Sequence, residues 1–174
     1  MANNAASIMV RPSLLPDTIS KQLDDITVSY QPANATEGWY YQLTDITTSS
    51  TDLIAATSFL QTGPAAASNG VNTGSSIASI APGSDKVKFL FIKHRSVEGD
   101  GTSNTADSIY LCLDGGAAAY TSGDCIEIGP GECWFAKLNT AIENIHVISD
   151  QKDRGSGSPQ GEIQAEVYAI IDDL

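Results

Sequence analysis

Charge is scarce in this 174-residue sequence. Asp, Glu, Lys and Arg make up 17% of it, against about a quarter in an ordinary globular domain. The basic residues are scarcest: nine against 21 acidic, a formal net charge of −12. A coiled coil needs far more Glu, Lys, Arg and Leu, so that class is excluded. At this charge the chain as a whole is repelled by nucleic acid and by anionic membranes, and neither is expected as a partner. Long apolar runs are also missing. The longest strongly apolar stretch is Phe89 to Ile92, far below the roughly 20 residues of a membrane-spanning helix. No secretory apolar segment follows Met1, which leads to the expectation of synthesis in the cytoplasm.

Cysteine is sparse and odd in number: Cys112, Cys125 and Cys133. They lack the paired short spacing of a zinc ribbon and do not form a disulfide framework, so the expectation is three reduced, small apolar fillers. Histidine is limited to His94 and His146, one on each of two predicted strands. A metal-dependent reading would need carboxylates or Cys133 to converge on them. No phosphate-cradling Gly-rich loop with its Lys is present. The nearest approach to a hydrolase nucleophile elbow, Gly155-Ser156-Gly157, lies in a polar loop with no strand or helix beside it. Glu127 and Glu132 flank a tight turn, but no aromatic substrate cluster precedes either of them. Asp100, Asn104 and Asp107 share a loop whose spacing is not that of a calcium-binding EF-hand, and polar turn chemistry accounts for them. The expectation is a protein without catalytic residues, metal or cofactor.

Small residues replace the missing charge. Ala, Gly, Ser and Thr sum to 68 residues, over a third of the chain. At this length about two-thirds of the unfolded surface can be buried in one domain. Residues 1–25 read as an N-terminal arm. Leu15, Ile19 and Leu23 recur every four residues behind Pro16, so one or two helical turns are possible there. Ile8, Val10, Leu14, Leu15 and Ile19 give this arm apolar residues that need a burial place, and a neighbouring subunit would supply one.

From residue 26 the rhythm is that of strands. Ile26–Gln31 and Trp39–Leu43 alternate. Residues 44–60 fit either a helical face (Leu53, Ile54, Thr57, Leu60) or strand. Residues 61–84 form a long loop with one weak strand at Ser76–Ile80. Lys86–Arg95 is apolar on both faces in its middle and so belongs in the centre of a sheet, covered on both sides. Ser108–Leu113, Cys125–Ile128, Glu132–Leu138 and Glu143–Ser149 follow, separated by Asp114-Gly115-Gly116 and Gly129-Pro130-Gly131 turns. The last strand, Glu162–Ile171, alternates best: Ile163, Ala165, Val167, Ala169 and Ile171 face one way. Its place at the terminus suggests an edge or pairing strand. About eight strands without a strand–helix–strand rhythm make the chain all-β. The expected architecture is an antiparallel two-sheet sandwich of jelly-roll type over residues 26–174.

Lys86, Lys88, Lys93 and Arg95 place four of the nine basic residues in ten positions. Strict alternation puts Lys86 and Lys88 on one face and Lys93 and Arg95 on the other. Their functional reading is docking to an acidic partner surface.

The runs Asp85–His94, Asp107–Gly116, Ile126–Glu132 and Ile145–Ser149 together resemble small virion structural proteins of tailed bacteriophages. The cadence covers roughly residues 85–171. The resemblance implies a capsid decoration (cement) protein: all-β, homotrimeric, on the capsid exterior of the virion, with the major capsid protein as partner. The apolar arm and the basic cluster supply the expected contact residues, Leu14, Leu15, Ile19, Lys86 and Lys88. Trp39 and Trp134 are expected as core or interface aromatics. A head-fibre, neck or tail component is the alternative within that family. A glycan-binding β-sandwich is the alternative outside it, with Tyr40, Tyr110, Tyr120 and Tyr168 as candidate exposed aromatics.

Overall fold

The structure, a computed structural model, describes residues 5–10, 26–32, 37–61, 67–68, 71–72, 76–119, 123–150 and 162–174. Leu14, Leu15, Ile19 and Tyr120 lie outside these residues. The strands in chain order are β1 (Ala6–Val10), β2 (Ile26–Tyr30), β3 (Glu37–Ile46), β4 (Thr51–Asp52), β5 (Phe59–Gln61), β6 (Ala67–Ser68) and β7 (Val71–Asn72). They continue with β8 (Ser76–Ser79), β9 (Lys86–Glu98), β10 (Ile109–Cys112), β11 (Ile126–Ile128), β12 (Cys133–Ala141), β13 (His146–Ser149) and β14 (Ile163–Asp172). A single 3-10 turn at Ile142–Asn144 is the one helical element among the described residues.

Two antiparallel sheets pack face to face as a β-sandwich. The larger runs β12-β9-β14-β3-β5-β8 and the smaller β11-β10-β13-β4. The core lies between them. Leu90 and Ile92 of β9 meet Leu111 of β10 and Val147 of β13 there, with Trp134 and Leu138 of β12 packed at the margin. Ile163, Ala165, Val167, Ala169 and Ile171 are all fully buried in that core. The strict period-two pattern of the last strand therefore has the packing meaning its sequence suggests.

Of the two places its terminal position suggested, an edge or a pairing strand, the edge does not hold. β14 is not at an edge; it pairs with β9 on one side and β3 on the other. Its outward residues Gln164, Ile170 and Asp172 are buried as well. Alternation along a strand reports which face is buried and says nothing about how many neighbours it has. β9 does take the central, doubly covered place that its apolar middle predicts, between β12 and β14.

The ambiguous stretch at 44–60 is not helical. β3 runs on through Ile46, and Leu53 and Ile54 are buried side by side in the turns that follow β4. The strand at 26–30 belongs to neither large sheet. It pairs with β1, Ala6 opposite Tyr30 and Ile8 opposite Val28. One face of this ribbon is apolar, and Ala6, Ile8, Val28 and Tyr30 pack on Trp39, Phe89, Phe91 and Ile170 of the larger sheet's outer face. Ser7, Thr27 and Ser29 face water. Ile8 thus finds its burial place within its own chain rather than on another subunit.

Candidate functional site

The outer face of the larger sheet carries a row of four aromatic side chains, one from each of four neighbouring strands. Tyr41 on β3 is opposite Tyr168 on β14, Tyr168 is opposite Phe91 on β9, and Phe91 is opposite Phe135 on β12. With strands about 4.8 Å apart the row is about 14 Å long. The Tyr41 and Tyr168 rings lie 4.5 Å apart between centroids, and Phe91 meets Tyr168 edge-on at 5.8 Å. Both separations suit favourable aromatic pairs. All four residues are half-buried, so part of each remains available to a partner.

The rows on either side give this face a direction. Trp39, Ile170, Phe89 and Lys137 form one, and all but Lys137 lie under the β1–β2 ribbon. Leu43, Glu166, Lys93 and Cys133 form the other, which is polar and more open. Arg95 extends it, with its Nε 3.4 Å from Glu166 Oε1 and its Nη1 donating to Gln164 Oε1. Partial burial raises the Tyr168 phenol to about 12, with Tyr41 and Glu166 adding to the shift. The hydroxyl therefore keeps its proton, and remains a donor, throughout the ordinary pH range.

The basic residues of β9 share this outer face, which corrects the alternation reading. Val87 and Leu90 both face the inter-sheet core. That is possible only because the ladder is interrupted between Val87 and Phe89, where β14 steps one residue and β9 steps two. The extra residue is Lys88, a β-bulge. Its Nζ lies 3.5 Å from Asp172 Oδ2 and donates to Asn139 Oδ1 at 2.7 Å. Lys86 pairs in register with that same outward Asp172. The bulge brings Lys86 and Lys88 to the side of the sheet that also carries Lys93 and Arg95. Without it, they would fall on opposite faces.

The other sequence candidates are not brought together. Tyr40 is 2% exposed and Tyr110 is 5% exposed. Both are therefore corrected from exposed ligands to buried residues. Tyr40 belongs to the inward face of β3, whereas its neighbours Trp39 and Tyr41 point out. Of that candidate set Tyr168 alone, among the described residues, lies on the aromatic row. Phe91, Phe135 and Tyr41 were legible as strand residues but not as members of one surface.

His94 is fully buried. Its Nδ1 accepts from the Ser96 backbone N–H at 2.9 Å, which places the ring proton on Nε2, 2.9 Å from the Asp107 carbonyl oxygen to which it donates. Burial pushes its pKa down, while Asp107, Asp150 and Glu132 oppose that shift more weakly. The ring ties β9 to the start of β10 and holds Ser96 in a left-handed conformation, φ 64°. His146 Nε2 lies 3.2 Å from Asp52 Oδ1 on the other sheet's edge. Asp100 accepts from Ser103 Oγ and from the Thr102 and Ser103 N–H groups, and these bonds lower its carboxyl to about 2. Glu132 caps its own turn through the Gly129 N–H, and Glu127 accepts from Ser108 Oγ. Among the described residues no three His, Cys, Asp or Glu side chains converge in a group suited to a metal ion.

No protein-family model, no curated protein and no solved structure matches this chain.

Proposed function

We propose that this is a non-enzymatic structural protein of a tailed-bacteriophage virion, a decoration protein that binds the major capsid protein on the capsid exterior and acts as a homotrimer. Its mechanism is contact: apolar anchors and a basic rim add binding free energy to a shell without chemical change. The observation that carries the reading is the half-exposed row Tyr41–Tyr168–Phe91–Phe135 with Lys93, Arg95 and Lys137 around it. Aromatic and Arg side chains are the usual anchors of protein interfaces. A local basic face on a chain of net charge −12 selects an acidic partner surface. Within this reading the sandwich is a jelly roll. What supports that is the pair of four-strand orders β12-β9-β14-β3 and β11-β10-β13-β4, which one chain produces by winding two Greek keys between the sheets.

The test combines mass in solution by light scattering with co-sedimentation on undecorated shells. The expected result is a trimer that pellets with the shells. A Tyr41→Ala/Tyr168→Ala variant should bind at least tenfold more weakly, since truncating aromatic anchors costs about 2 kcal/mol or more. Removal of residues 11–25, with Leu14, Leu15 and Ile19, should weaken binding further if the arm bridges to a neighbour. A monomer that ignores the shells sinks the proposal. The same aromatic row favours a second reading, stacking on the apolar faces of sugar rings. A glycan-array signal lost in the double tyrosine variant, without shell binding, would select it.

A further inference from the structure

On the opposite side of the molecule, two of the three free thiols face one another. β10 and β11 are antiparallel, with Ile109 opposite Ile128, Tyr110 opposite Glu127 and Leu111 opposite Ile126. Continuing that register by one residue sets Cys112 opposite Cys125. Leu111 and Ile126 both turn toward the inter-sheet core, so their neighbours Cys112 and Cys125 both turn outward. There they pack into one small apolar cluster with Tyr110, Ala118 and Ile148. Partners in an antiparallel ladder have Cα atoms about 4.5–5.5 Å apart, inside the roughly 4.4–6.8 Å range of disulfides. Cys133 belongs to the other sheet, opposite Lys93.

We propose that Cys112 and Cys125 are a redox-controlled cross-strand pair that closes to a disulfide when a low-molecular-weight disulfide such as oxidised glutathione is supplied. The two thiols have different parts. Cys112 is buried, and its Sγ donates to Asp114 Oδ1 at 2.8 Å. Burial first, and that hydrogen bond second, push its thiol up to about 11, so it is a poor first nucleophile. Cys125 is half-buried and reachable. Its thiolate attacks one glutathione sulfur, forming a mixed disulfide and releasing one glutathione thiolate. Cys112 then loses its proton to solvent and, as the thiolate, attacks the Cys125 sulfur. The second glutathione leaves as its thiolate and is protonated by solvent. Two protein thiols are oxidised to one disulfide, and one glutathione disulfide is reduced to two thiols.

Asp114 is fixed beside the Cys112 thiol and, by accepting its proton in a hydrogen bond, helps to keep it the second nucleophile rather than the first. It also accepts the Gly116 N–H at 2.8 Å, and Gly115 takes φ +83° so close to Asn144 that an added Cβ would lie 2.7 Å from its Oδ1. The acceptor beside Cys112 is therefore part of a tight turn rather than a loose side chain.

The experiment treats the whole protein with oxidised glutathione, then counts thiols after denaturation and maps peptides without reduction. The expected result is a Cys112–Cys125 linked peptide, the exposed Cys133 either free or carrying one glutathione, and a raised Tm that reverts with reductant. Cys133→Ser should retain the link, and Cys112→Ser should stop at a glutathione adduct on Cys125. Three remaining thiols, a persistent adduct on Cys125 in the unsubstituted protein, or a link to Cys133 would each overturn the proposal. The unsubstituted protein alone decides it, so a misfolded variant does not leave it open. None of these readouts depends on shell binding.

Discussion

Replacing Phe89 with alanine is expected to destabilise the protein by about 3–5 kcal/mol, the range for emptying a buried aromatic site. Phe89 is 2% exposed although it points away from the inter-sheet core. Its burial is provided by the β1–β2 ribbon, through Ala6 above it and Ile170 beside it. This links the amino-terminal strand to the stability of the central sheet. Removing residues 1–10 should leave Phe89 partly exposed, so the same substitution then costs about 1–2 kcal/mol less, within the usual coupling of contacting sites. Urea unfolding of the four proteins in that cycle measures the difference. Additive effects would show that the ribbon does not cover Phe89 in solution.

His94→Ala is expected to cost about 2–5 kcal/mol. It removes the ring that bonds the half-buried Ser96 N–H and the buried Asp107 carbonyl oxygen, and losing such a partner costs about 1–3 kcal/mol for each bond. The same residue predicts a pH dependence. Burial lowers the folded-state pKa of His94 below its ordinary value of 6.5. Above that value the ring is neutral in both folded and unfolded chains, and stability from this group is at its plateau. As pH falls below it, the unfolded chain takes up the proton first. Stability then declines by up to about 1.4 kcal/mol per pH unit until the folded-state pKa is reached. The carboxylates facing the ring, Asp107, Asp150 and Glu132, reduce the shift without reversing it. Urea midpoints at pH 7.5, 6.5 and 5.5 measure the slope, using ordinary buffers around the reference value. A His94→Gln protein should lose that component of it. An unchanged slope would mean that His94 is not held neutral.

Several features were legible in the residues because they depend on one strand at a time. Alternation identified the buried face of β14, the apolar middle of β9 gave it a central place, and Asp114-Gly115-Gly116 marked a turn that closes as expected. The all-β class followed from the same period-two signal and from turn residues at regular intervals. The candidate surface was less legible because it is a relation among strands. Tyr41, Tyr168, Phe91 and Phe135 are separated by up to 127 positions in the chain and become one row through three registers. The period that separates Tyr40 from Tyr41 does not say which of them is inward.

The sequence by itself determined the chemistry available to this protein: scarce basic charge with four of its nine residues at 86–95, apolar faces on alternating positions, three scattered thiols and two isolated histidines. Tertiary structure alone decided what those groups face. One extra residue at Lys88 moved the basic residues to a common side. A ribbon laid on the outer face buried Phe89, and placing β14 between two partners made a terminal strand central. The physical reason is that side-chain alternation is a local property of an extended backbone. Register, bulges and layer order are fixed only when separate strands compete for the same hydrogen bonds and the same apolar surface.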